Sequence, residues 1–155
     1  MKCHLIAIGQ RMPPWVDQAV AEYKKRLAGL VTIQIIDIPA IRRGKNSDLK
    51  RIQQQEGQML LEAVPRHTLP IALDAAGRQY DTLEFSNLVQ GWIDASQDVA
   101  FLVGGPEGLA PSVLAGCRMK LSLSRLTFAH PLVRIVFAEQ LYRAWSITQG
   151  LPYHR

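Results

Sequence analysis

The chain has 155 residues, 48% of them apolar and 20% charged, which is the make-up of a soluble globular protein large enough for one hydrophobic core. Its apolar runs are short and interrupted, far from the roughly 18 residues that cross a bilayer. The start, Lys2 and a short apolar run into Gly9-Gln10-Arg11, has neither the apolar core nor the cleavage site of a signal peptide, so a cytoplasmic protein with no membrane association is expected. A net charge of +5 suits a polyanionic partner such as nucleic acid.

Cys3 to Ile8 reads as a strand. Pro13-Pro14 open a helix with Trp15, Ala19, Tyr23 and Leu27 at helical spacing. Val31 to Ile38, rich in β-branched residues, is a second strand. A basic loop follows, Pro39 to Asn46, with Arg42, Arg43, Gly44 and Lys45. Ser47 is the expected N-cap of a helix striped by Ile52, Met59 and Leu60. Leu69 to Leu73 is a third strand ending at Asp74, after which Ala75 to Gln79 turns the chain. Asp81 and Glu84 form a capping box for a helix through Trp92. Val99 to Val103 is a strand buried on both faces, followed by a Gly104-Gly105-Pro106-Glu107-Gly108 turn. Pro111 to Cys117 is a short helix and Met119 to Leu123 a fifth strand. A last helix runs from near Pro131 to Thr148, stopped by Gly150 and Pro152. Strands alternating with helices throughout predict an α/β fold, one domain over residues 1–155, with a mostly parallel sheet flanked by helices.

In such a sheet, ligands bind beyond the carboxyl ends of the strands. Leu73-Asp74, Gly104-Gly105 and Ser122-Leu123 stand there. A Gly-Gly after a strand serves either a tight turn or close approach of backbone to a ligand. The segment matches neither a dinucleotide fingerprint nor a P-loop. No G-x-S-x-G elbow supports a serine hydrolase, and His4 and His67 look incidental. Cys3 and Cys117 have no metal-ligand spacing and read as buried thiols. The basic loop is either a phosphate contact or a solvated charge run. Glu139 and Arg143 fall one turn apart on a helix and can pair. Leu132, Ile135, Val136 and Trp145 read as core. Tyr153-His154-Arg155 is either a frayed tail or, as aromatic, titratable and cationic groups together, a nucleic-acid contact.

Taken in order, five segments resemble a known family: Leu102-Val103-Gly104-Gly105-Pro106-Glu107-Gly108-Leu109; Leu121-Ser122-Leu123-Ser124; His130-Pro131-Leu132-Val133-Arg134; Glu139-Gln140-Leu141-Tyr142-Arg143-Ala144-Trp145; and Pro152-Tyr153-His154-Arg155. They resemble the ribosomal RNA large subunit methyltransferase H family of SPOUT methyltransferases. Met12-Pro13, Arg43-Gly44-Lys45-Asn46 and Leu73-Asp74 fit the same pattern, so the likeness spans the chain. It implies a C-terminal trefoil knot, a homodimer, and S-adenosylmethionine as cofactor. The implied reaction is methylation of N3 of pseudouridine 1915 in 23S rRNA on the assembled ribosome. Carried over by position, the cofactor contacts are Leu73, Gly104 and the loop Leu123, Ser124, Arg125, Leu126, Thr127 and Phe128. The metal set is empty.

The target nitrogen must lose a proton, and Glu139, His130 and His154 are the candidate acceptors. Tyr153, His154 and Arg143 are expected to build the substrate end, with Arg143 stabilising negative charge on the base or holding a phosphate. Glu139 is expected to orient Arg143. Arg42, Arg43 and Lys45 are the expected contacts to rRNA phosphates. Two other classes stay open from the residues alone: a non-catalytic ribosome- or RNA-binding factor using the same basic surface, and a nucleotide-binding α/β domain acting on a small molecule.

Overall fold

The computed structural model describes residues 1–9, 11–27 and 29–154. Their elements, in chain order, are β1 (Lys2–Ile8), α1 (Pro14–Arg26), β2 (Thr32–Ile38), α2 (Leu49–Glu62) and β3 (Leu69–Gln79). Then come α3 (Thr82–Asp94), β4 (Val99–Val103), α4 (Pro111–Gly116), β5 (Met119–Ser122) and α5 (His130–Thr148). The strands form one five-stranded sheet in the order β2-β1-β4-β3-β5, with every neighbouring pair parallel.

Alternation along the strands divides the core in two. Cys3, Leu5 and Ala7 of β1 and Val99, Phe101 and Val103 of β4 face α1, α3 and α5. Ile6 and Ile8 of β1 and Ala100 and Leu102 of β4 face α2 and α4. Connections leading toward the β2 edge (α1, α3) cover the first face. Those leading toward the β5 edge (α2, α4) cover the second, the pairing that a single crossover hand demands. Phe101 anchors the first face, edge-on to Phe137 at 4.7 Å and to Trp92 at 6.0 Å. Phe101 and Phe137 are fully buried, and burying each phenyl contributes about 2 kcal/mol.

Several local expectations change. The β3 strand does not stop at Asp74: after an irregularity between Leu73 and Arg78 it continues pairing with β5 to Gln79. Gly77 lies in that continuation, and a Cβ there would come within 2.8 Å of the Leu121 and Lys120 backbone, so the two strands touch where a side chain has no room. The N-cap of α2 is Asp48, whose carboxylate accepts from the Arg51 amide, whereas the Ser47 hydroxyl accepts from the Gly44 amide at 2.7 Å and closes the basic loop. In α1 the buried stripe is Val16 and Val20 leading to Leu27, and Trp15 is 51% exposed. In α5 it is Phe137, Ala138, Leu141, Ala144 and Trp145, while Leu132 points outward. The capping box of α3 forms in both directions. No described helix is long and apolar enough to cross a membrane.

Candidate active site

Following β4, the chain folds back on itself. The Gly108 amide donates to the Gly105 carbonyl at 2.9 Å, and Gly108 holds the positive φ of the turn, +77°. Gly104 is required for a different reason: a Cβ there would sit 2.5 Å from the Gly108 carbonyl oxygen. Gly104 therefore packs the loop tightly against itself, Gly105 lies against the Arg43–Glu56 pair, and Gly108 supplies the left-handed turn.

The basic loop clamps this turn. The Arg43 guanidinium donates from Nη1 to the Ile41 carbonyl and to Glu56 Oε1, both at 2.8 Å, from Nη2 to Glu56 Oε2 at 2.9 Å, and from Nε to Glu107 Oε1 at 3.1 Å. Gln53 adds a bond to the Glu107 carbonyl at 2.8 Å. Glu56 is buried, and its Oε1 also accepts from the Ile41 amide at 2.9 Å. Hydrogen bonds from Arg43 hold the Glu107 carboxyl below its ordinary range, and bonds to Glu107 and then Glu56 push the Arg43 pKa up. Arg43 is thus a brace between two carboxylates, with its donors taken, and is not placed to hold a phosphate. Arg42 and Lys45 remain exposed. Sequence reasoning missed Glu56, Gln53 and Glu107 because they meet Arg43 and its turn only through the fold.

Beyond β3 and β4 lies a cavity of about 420 Å³, within the range of small-molecule sites. Leu73, Gly104, Leu123, Ser124, Leu126, Thr127 and Phe128 line it, with Val103, Glu107 and Val133. Seven of the expected cofactor contacts thus converge from three separate chain segments. Arg125 does not: it is exposed on the outside of the loop and is not part of the lining. The loop is held by its serines, the Ser122 hydroxyl donating to the Ser124 carbonyl at 2.9 Å and Ser124 Oγ accepting from the Leu126 amide at 3.0 Å.

His130, the first residue of α5, also lines this cavity. Burial, and then the nearby Arg134 guanidinium, push its imidazole below the ordinary value of 6.5, which favours the neutral form. Arg134 itself is buried and donates to Asp37 at 2.5 Å.

The other expected site residues cluster along the second half of α5 and the tail that follows it. Glu139 Oε1 accepts from Arg143 Nη2 at 2.6 Å and from the Tyr153 hydroxyl at 3.1 Å, and Oε2 accepts from Gln140 at 2.6 Å. Tyr153 packs edge-on against Tyr142 at 4.6 Å, and the Arg143 guanidinium lies 4.8 Å from its ring centre. Burial, and then the bond to Glu139, push the Tyr153 phenol up to about 12. The tail is anchored: Gly150, at φ +65°, and Leu151 donate to the Ile147 and Ser146 carbonyls, a Schellman end that turns the chain back. His154 is exposed beside this cluster, and Arg155 lies outside the described residues. Glu139 thus ties Arg143 and Tyr153 together through one carboxylate oxygen. Arg143 stands 13 residues, about 20 Å, along α5 from His130. A single chain therefore carries the cavity and the Arg143–Tyr153 cluster apart.

The chain is similar to known proteins over its whole length. The family model described as "Predicted SPOUT methyltransferase" matches residues 1–154. The chain is 51% identical over 155 residues to the ribosomal RNA large subunit methyltransferase H of Thioalkalivibrio sulfidiphilus, covering 100% of this chain and 99% of that protein. It is 43% identical, with the same coverage, to the protein of that name from Hydrogenovibrio crunogenus. Among solved structures, a probable methylase family protein from Haemophilus influenzae shares the fold, with a TM-score of 0.60 at 13% identity over 99% of this chain and 70% of that one. With a family match running from the first strand to the tail, the chain belongs to the SPOUT methyltransferase family.

Proposed function

We propose that this protein uses S-adenosylmethionine to methylate N3 of pseudouridine 1915 in 23S rRNA on the assembled ribosome, acting as a cytoplasmic homodimer with a C-terminal trefoil knot. The observation that carries the proposal is the convergence of Leu73, Gly104 and the 123–128 loop on one cavity, in a chain half identical to proteins named as ribosomal RNA methyltransferases.

When bound, S-adenosylmethionine supplies an electrophilic methyl on a sulfonium cation. The cavity fits such a group: apolar walls from Leu73, Val103, Leu123, Phe128 and Val133 withhold water from the positive charge, and strand-end and loop backbone offers polar atoms to an adenine edge. Neutral His130, on the cavity wall, is a proton acceptor for the target imide nitrogen. Arg143, held by Glu139, offers a cation to the negative charge that develops on the base. Because α5 separates these groups, a second copy must bring its Arg143, Tyr153 and His154 to the cavity. Trp15 at 51% and Leu132 at 46% exposure, on the adjoining helices α1 and α5, offer an apolar face for that partner. Arg42 and Lys45 supply phosphate contacts.

Transfer of labelled methyl from S-adenosylmethionine tests this reading. Assembled ribosomes from cells lacking the protein are expected to accept it, and protein-free rRNA much less. Calorimetry showing no affinity for S-adenosylmethionine would instead leave a non-catalytic ribosome-binding factor.

A further inference from the structure

A methyl donor and its acceptor must meet at a distance of about 3 Å, so the acceptor has to enter through a space contiguous with the donor cavity. Two hollows adjoin that cavity. One, of about 340 Å³, shares Leu123, Ser124 and Phe128 with it; its wall includes the Asp81 carboxylate and no cationic side chain. The other, of about 710 Å³, shares Pro106 and His130. It lies beyond β1 and β4, where the chain leaves one strand for α1 and the other for α4 on opposite faces. That divergence is where open α/β sheets leave a crevice for ligands.

The second hollow has the chemistry of a nucleotide. Met12, Ala40, Ile41 and Pro106 give apolar walls, and Arg42 stands at its side, exposed and without an ion-pair partner among the described residues. Arg11, exposed, borders the next hollow, which shares Met12. A phosphate is repelled from the hollow with Asp81 and attracted to this one.

Resting on the proposed function, we infer that the groove walled by Gly9 and Met12 on one side and Ala40 to Arg43 on the other is the acceptor subsite: it takes the unstacked pyrimidine nucleoside of an RNA strand, with its phosphate on Arg42 and its reactive edge toward His130. The apolar walls replace base stacking for a nucleotide drawn out of its strand. Arg43, which borders the same groove, is occupied by Glu56 and Glu107, and so holds the boundary between the acceptor and donor spaces in place.

Two variants test the groove, each measured for methyl transfer from labelled S-adenosylmethionine to ribosomes from cells lacking the protein, for S-adenosylmethionine affinity by calorimetry, and for melting temperature. Ala40→Phe fills the groove and is expected to lower transfer about 100-fold with donor affinity within twofold. Arg42→Gln is expected to raise the KM for ribosomes about tenfold, leave kcat unchanged, and reduce the salt slope of ribosome binding by about one. Wild-type transfer with both variants at wild-type KM and kcat overturns the acceptor subsite alone. Parallel loss of donor affinity in both also overturns it, because the groove would then belong to the donor site. Absence of transfer by the unaltered protein overturns the proposed function itself. Should Ala40→Phe fail to fold, Ala40→Leu, a smaller filling of the same groove, takes its place, with lowered kcat at retained donor affinity supporting the subsite and unchanged kcat overturning it.

Discussion

Arg43 shows how much one side chain's surroundings decide its role. Its guanidinium joins the buried Glu56 to Glu107 on the wall of the proposed donor cavity. Arg43→Ala leaves Glu56 without its counter-ion and is expected to cost about 3 kcal/mol of stability, read by guanidinium chloride unfolding. It is also expected to weaken S-adenosylmethionine binding about tenfold as Glu107 loses its hold. Arg43→Lys should recover little, since an ammonium cannot serve two carboxylates in a planar fork. Unchanged stability with weakened ribosome binding would return Arg43 to the phosphate contacts. At the other cluster, Arg143→Ala is expected to reduce methyl transfer at least 100-fold with donor affinity retained, whereas loss of both would make Arg143 a folding residue. The Glu139–Arg143 pair was legible because it repeats along one helix face. The return of Tyr153 onto Glu139, and the contact of Arg43 with Glu107, 64 residues away, were not, because those separations reflect no local period.

Among the elements, the turn after β4 has the tightest constraint. Gly104→Ala places a methyl against the Gly108 carbonyl, so the turn must open. Donor affinity is expected to fall at least tenfold in calorimetry while far-ultraviolet circular dichroism stays unchanged; wild-type affinity would remove the turn from the donor site. The sequence marked this turn by its glycines, and placed the positive φ no more closely than that, since either glycine role fits a Gly-Gly after a strand. The extension of β3 past Asp74 was hidden by its composition: Asp74-Ala75-Ala76-Gly77 reads as a breaker, and only the backbone of β5 passing Gly77 at van der Waals contact makes it sheet. The strand and helix alternation was plain because most strands carry an apolar run of their own, and β4 is apolar at every position. Trp15 misled the reading of α1, since a large apolar residue at helical spacing is equally the mark of a face awaiting a partner.

For the whole molecule, burial lowers the pKa of both His4 and His130. The unfolded chain therefore binds more protons than the folded one as pH falls below 6.5, the ordinary histidine value. The melting temperature is expected to drop between pH 7.5 and pH about 5.5, and less steeply for His4→Gln; an unchanged slope in that variant would show that His4 does not contribute. The proposed knot and dimer lie beyond what local pattern can express, because both would depend on how segments pass one another after the sheet has formed. Both are proposed from the family resemblance, and the separation of Arg143 from the cavity along α5 is the physical motive for proposing a dimer. The central claim is methylation of one ribosomal nucleotide, and mass spectrometry of 23S rRNA from cells with and without the protein tests it most directly. The account predicts a methyl on N3 of pseudouridine 1915 that disappears with the protein and returns with the wild-type chain but not with Arg143→Ala. A methyl that persists without the protein, or one lost from a different nucleotide, would contradict it.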